Sequence, residues 1–147
     1  MLNVEIHKIP ALRSPIMLIA FSGWNDAAEA ATGAVSHLLG IWSEIADVEN
    51  PKATDLIPEL IADVDSEDFY DFQVNRPQVS IDDSEIRSIT WPTTQVFGLA
   101  IPSMQRDLVI VTGVEPSMRW KNFTADLLDL GDDLEVSLVM TLGSLLA

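Results

Sequence analysis

The sequence contains no cysteine, two histidines and only eight lysines and arginines in 147 residues. Without cysteine, disulfides, thiolate nucleophiles, zinc–sulfur sites and iron–sulfur clusters are excluded. Against those eight cations stand 23 aspartates and glutamates, so the formal net charge is −15. Binding to phosphate backbones needs clustered Lys and Arg, so no nucleic-acid partner is expected. The same excess of acid argues against an anionic membrane surface. The longest apolar run is Ile16 to Phe21, far short of the ~18 residues of a membrane span. The first nine residues carry Glu5 and Lys8 and lack a basic start ahead of an apolar stretch. No signal peptide is read there, and a cytoplasmic location is the expectation.

Chemical fingerprints are missing as well. There is no GxGxxG, no GxxxxGK[ST] and no GxSxG, so dinucleotide, P-loop and nucleophile-elbow readings have no support. The histidines, His7 and His37, sit in no pattern that suggests a Ser–His–acid triad. No metal, no cofactor and no catalytic residue is assigned.

What is present is core-forming material. The chain is 48% hydrophobic and 21% charged, a globular balance rather than that of an acidic tail. Its length suits one α/β domain spanning 1–147. Three apolar runs read as strands covered on both faces: Ile16–Phe21, Asp107–Thr112 and Val136–Thr141. The first leads into a helical pattern with Ala27, Ala31, Ala34, Val35, Leu38, Leu39 and Trp42 on one stripe. Asp26 is placed as its N-cap, with Glu29 completing a capping box. Gly33 inside that helix reads as close packing on the sheet. The second run leads into a helix from about Met118 to Asp133, with Trp120, Phe123, Leu127, Leu130 and Leu134 apolar.

The middle of the chain is less regular. Residues 44–66 hold Asn50-Pro51, Pro58 and seven acids, which suggests a loop and then a short helix or turn over Pro58 to Ala62. Phe69–Val74 reads as extended, with Tyr70, Phe72 and Val74 on one face. Val79 to Trp91 alternates around Asp82-Asp83-Ser84, a hairpin with one polar face. Gln95–Ile101 is a further strand. The order gives an α/β fold with a mainly parallel sheet plus an antiparallel hairpin. Its spine is expected to be the three apolar runs, side by side and pointing the same way.

In open α/β sheets ligands collect beyond the carboxyl ends of the strands. The ligand-binding candidates are therefore Gly23, Trp24, Asn25, Asp26, Gly113, Glu115, Arg119 and Gly143. Glycine after a strand is also ordinary turn chemistry, and both readings stand. Arg119 has two readings: an ion pair with Glu115 across one turn, or an anion-holding group at a helix start. Trp24, Trp91 and Trp120 fall at element ends, where tryptophans pack, line pockets or anchor interfaces.

Five segments in order carry a resemblance: Gly23-Trp-Asn-Asp-Ala-Ala-Glu-Ala-Ala-Thr-Gly33, Asp68-Phe-Tyr-Asp-Phe-Gln-Val-Asn-Arg-Pro77, Ile89-Thr-Trp-Pro-Thr93, Gly113-Val-Glu-Pro-Ser-Met-Arg-Trp120 and Thr141-Leu-Gly-Ser-Leu-Leu146. Together they resemble the actinobacterial branch of the proteasome assembly chaperone two family, from about Ile16 onward. The resemblance implies a three-layer α/β/α sandwich similar to the nucleoside phosphorylase and hydrolase-like fold. It also implies homo-oligomers, often trimers, and relatives near twice this length, so this domain is expected to be part of a longer protein. Eukaryotic and archaeal relatives act on proteasome subunits, some through a hydrophobic–tyrosine–any-residue tail. Here the last residues are Leu145-Leu-Ala147, without it. Two functions follow. One is a protein-binding assembly scaffold. The other is an enzyme that binds a nucleoside, nucleotide or phosphate-containing molecule, or a carboxylate–amine ligase.

Overall fold

The computed structural model describes residues 3–45, 56–81 and 86–146. The loop expected through 46–55 and the turn expected at Asp82-Asp83-Ser84 lie outside the described residues. The elements run β1 (Val4–Ile6), β2 (Ile16–Ser22), α1 (Ala30–Ile45), β3 (Glu59–Val64), α2 (Ser66–Phe69), β4 (Gln78–Ile81), β5 (Arg87–Thr90), β6 (Thr94–Leu99), β7 (Leu108–Val114), α3 (Trp120–Asp133) and β8 (Leu138–Leu142).

Six strands form one sheet in the order β1-β3-β6-β7-β2-β8, and β4 and β5 form a separate two-stranded ladder. β2 runs parallel to both β7 and β8, with Leu18 opposite Ile110 on one side and Met140 on the other. β6 is antiparallel to both β7 and β3, and β1 is antiparallel to β3. Hence β3, β7, β2 and β8 share one direction, while β6 and β1 oppose them. The expected spine of three parallel apolar strands is present, with β2 in its middle.

Successive residues of a strand face opposite sides of the sheet. Met17, Ile19, Val109 and Val111 pack on one side with Phe123, Leu127, Leu130 and Leu134 of α3. Ala20 and Ile110 pack on the other with Ala31 and Val35 of α1. The aromatic centre of the α3 side is Phe123, edge-on to Phe21 at 5.5 Å and to Phe69 at 5.3 Å. Such pairs add to the area they bury.

At the amino end of the spine, Asp107 is a latch. Its buried carboxylate accepts from the Arg13 amide and from the Ile101 amide, at 2.7 and 2.8 Å, and pairs with the Arg13 guanidinium at 2.7 Å. The Arg13 guanidinium and these amides hold the Asp107 carboxyl down at about 2, against the opposing effect of burial. The loop before β2 is thereby tied to the turn between β6 and β7.

Several local expectations are corrected. Residues 59–64 form β3 rather than a helix or turn, because Ile61, Ala62 and Val64 fill the core beside β6. Phe69–Val74 is not a strand. Phe69 closes α2, and Asp71 then organises a turn. Its side chain accepts from the Gln73 amide, and its carbonyl accepts from Val74 and Asn75. Gly33 is not packed on the sheet, since a Cβ there would meet open space. β8 is not a buried strand. It occupies the edge of the sheet, and all five of its residues are exposed. The β4–β5 hairpin forms as expected, yet Val79, Ile81 and Ile89 on its apolar face are exposed too.

Candidate functional site

The carboxyl ends of β2, β7 and β8 meet at one end of the sheet. After β2 the chain turns at Gly23, whose φ is +142°. A Cβ there would lie 2.4 Å from the Glu115 side chain. The positive φ favours glycine here, and the Glu115 side chain lies across the turn. The contact is closed by a hydrogen bond from the Trp24 amide to Glu115 Oε1 at 3.2 Å. The Glu115 amide in turn donates to the Ser22 carbonyl at 3.0 Å.

Asn25 and Asp26 tie the same turn to the end of β8. The Ser144 amide donates to the Asn25 carbonyl at 2.7 Å, and the Ala27 amide donates to the Ser144 carbonyl at 3.1 Å. Gly143 passes close under Asn25, with room for a Cβ only at 3.4 Å from the Asn25 carbonyl oxygen. Asp26 is an N-cap, but not through a capping box. A 3-10 turn over Ala27–Glu29 intervenes, with Ala28 and Glu29 at positive φ. The Asp26 carboxylate reaches past it to the amides of Ala31 and Thr32 at 2.8 and 3.2 Å, and to the Thr32 hydroxyl. Burial pushes this carboxyl up, and the Thr32 and Ala31 donors outweigh it, so its pKa falls below the ordinary value. The charge is spent on starting α1.

Gly113 faces away from this cluster. A Cβ on it would sit 2.3 Å from the Thr93 carbonyl oxygen, and its φ is +154°. It permits the close approach of β6 rather than of a ligand. Arg119 does not pair with Glu115. It adopts a left-handed backbone, forms an ion pair with Asp68 and lies over the Phe69 ring at 5.7 Å. The helix start expected at Met118 therefore falls at Trp120, because the Met118 amide is taken by the Phe69 carbonyl.

Two hollows of about 410 and 670 Å3 flank this corner, and Glu115 and Trp120 line both. The smaller is walled by Phe21, Leu142 and Leu145, and the larger by Asp71, Val74 and Asn75. Neither is lined by a lysine, arginine or histidine. Trp24 is 86% exposed and Trp120 50% exposed, a large aromatic area left in water. Among the described residues no three acids or histidines gather as metal ligands.

The sequence profile of the PAC2 family matches residues 20–147. The chain belongs to the PAC2 family. A solved PAC2 family protein from Streptomyces avermitilis is 46% identical, with a TM-score of 0.76, over 90% of this chain and 51% of that one. A Mycobacterium tuberculosis proteasome-assembly chaperone homologue is 39% identical, with a TM-score of 0.75, over 90% of this chain and 50% of that one. A Corynebacterium glutamicum protein of unknown function shares the fold at 21% identity and a TM-score of 0.74, over 95% of this chain and 48% of that one. The chain thus spans about half the length of the solved relatives it matches. No curated protein matches it.

Within this PAC2 chain, the candidates Gly23, Trp24, Asn25, Asp26, Glu115 and Gly143 come together, while Gly113 and Arg119 serve neighbouring contacts. Sequence reasoning missed the second wall of the site, Asp68 to Asn75. Its anchor is Tyr70, whose hydroxyl bonds to Thr94 Oγ1 at 2.7 Å and to the Val114 carbonyl at 3.1 Å. Burial pushes the Tyr70 phenol up to about 12, despite the opposing Thr94 bond. The Ser117 amide closes on the Phe69 carbonyl at 2.8 Å, pinning that wall to the loop after β7. The signal available was the Asp68–Pro77 motif, inside which Phe69–Val74 alternates like a strand.

Proposed function

We propose that this PAC2 chain is an assembly-chaperone-like protein that binds proteasome subunits through the corner formed by Trp24, Glu115 and Trp120. One observation carries the reading: Trp24 and Trp120 stand exposed on one hydrogen-bonded corner, where Trp120 lines two hollows, in a family with a proteasome-assembly chaperone homologue. Exposed tryptophans beside hollows suit protein contacts, which concentrate their energy in such anchors. The small-molecule reading has less support. Its anion-holding residue, Arg119, is engaged by Asp68, and the hollows carry carboxylates instead of cations.

The proposal extends to context. The chain acts as one α/β domain of a longer cytoplasmic protein, adopts a three-layer α/β/α sandwich and forms a homo-oligomer. Among the described residues no helix is long and apolar enough to cross a membrane. The exposed apolar faces of β8 and of the β4–β5 hairpin support association with further protein surface.

The test is an assembly time course. Separated proteasome α and β subunits are mixed with the chain, and intermediates are resolved on native gels. The expected result is co-migration with subunits and an altered rate of ring formation, both lost in Trp24→Ala. Unchanged kinetics and no co-migration would defeat the reading.

A further inference from the structure

We infer that the Glu115–Trp120 corner receives a cationic side chain, an arginine or lysine held between apolar neighbours on the partner protein. The inference rests on the protein-docking reading above and adds the chemistry of what docks. Glu115 is half-buried. Its Oε1 accepts from the Trp24 amide, while Oε2 has no partner among the described residues. The carboxylate is thus fixed by one oxygen and free at the other. Trp120 lines both hollows with it and offers the ring that a guanidinium or ammonium favours beside a carboxylate.

Charge complementarity points the same way. The larger hollow adds a second carboxylate, Asp71, and no basic residue lines either hollow. The nearest cation in sequence, Arg119, is held by Asp68. The whole chain carries −15, so its long-range field draws basic surfaces and repels acidic ones. The apolar walls, Phe21, Leu142 and Leu145 on one side and Val74 on the other, suit flanking aliphatic side chains. A second copy of this chain is a poor occupant of this acidic corner, and the self-association proposed above falls to the exposed apolar faces of β8 and the β4–β5 hairpin.

Three short capped peptides test this, with arginine, glutamine or glutamate between two leucines. Binding is read from the indole N–H signals of Trp24 and Trp120 in NMR titrations. The arginine peptide is expected to shift both signals and to bind about tenfold tighter than the glutamine peptide. That preference should fall with added salt, and Glu115→Gln, which keeps the side-chain shape over Gly23, should erase it. Equal binding of all three peptides at these tryptophans would overturn the cationic inference and leave the docking reading standing. A preference for glutamate, or no binding by any of the three, would also overturn it, and the subunit assembly experiment then decides the docking reading separately. Concentration-dependent self-association that Trp24→Ala abolishes would identify a second copy as the occupant and defeat the proposal.

Discussion

β7 and β8 lie on either side of β2, run parallel to it and are built from similar aliphatic residues. Ile110 and Met140 even face the same residue, Leu18. Yet Ile110 is 0% exposed and Met140 is 46% exposed. The difference is not in the strands. β7 has β6 along its other edge, α1 over one face and α3 over the other. β8 has β2 along one edge and an open row of backbone groups along the other. An apolar strand is buried by its place in the sheet order, and an apolar strand at an edge is an adhesive surface. The same contrast separates the packed amino end of the spine from its carboxyl end, where Trp24 and Trp120 face water.

Substitutions at Ile110 and Met140 separate the two strands most sharply. Ile110→Ala should cost about 2–5 kcal/mol in chemical denaturation, as a large deletion in a filled core does. Met140→Ala should cost under about 1 kcal/mol, as for a surface change. Equal costs would mean that β8 is as covered as β7. Next is the glycine that allows β6 to approach β7. Gly113→Ala combines a backbone conformation foreign to L-residues with a Cβ 2.3 Å from the Thr93 carbonyl oxygen. It should lower stability by at least about 2 kcal/mol, in the range of stored backbone strain and overpacking. Thermal unfolding unchanged by this substitution would contradict the close contact.

The Asp107 latch gives an effect of about 2 kcal/mol, following from a carboxyl near 2 against its ordinary value of 3.8. Its folded pKa is lowered, so the stabilisation is present above about pH 4 and is lost as pH falls toward 2. Asp107→Asn should remove that part of the acid slope in pH-dependent denaturation. A slope identical to the parent's would show that other carboxylates carry it. The smallest effect is a gain. Gly33→Ala enters open space in α1 and should stabilise by about 1 kcal/mol through helix propensity. A loss would mean that this helix face is covered by another surface.

Much of the frame was legible in the sequence. Ile16–Phe21 and the run from Asp107 stood out because parallel strands near the middle of a sheet are apolar throughout, and the run from Val136 carries the same pattern at the edge. Their alignment placed Gly23, Glu115 and Gly143 at one end, as strand direction requires. The burial of β8 was not legible, because sheet order depends on partners distant in sequence. The wall from Asp68 to Asn75 was misread for a different reason. Tyr70 and Phe72 alternate as in a strand, but the Asp71 side chain satisfies local amides and turns the chain. Arg119 looked free to meet Glu115 because a one-turn spacing suggests it, whereas its left-handed backbone directs it to Asp68.

In the proposed function the exposed carboxyl end of the spine, rather than its packed centre, meets other proteins. Hydrogen exchange of the chain alone and with isolated proteasome subunits tests it directly. New protection is expected at residues 22–25, 115–120 and 141–145 when subunits are present, with β7 protected equally in both samples. Protection that appears only elsewhere, or nowhere, would contradict it.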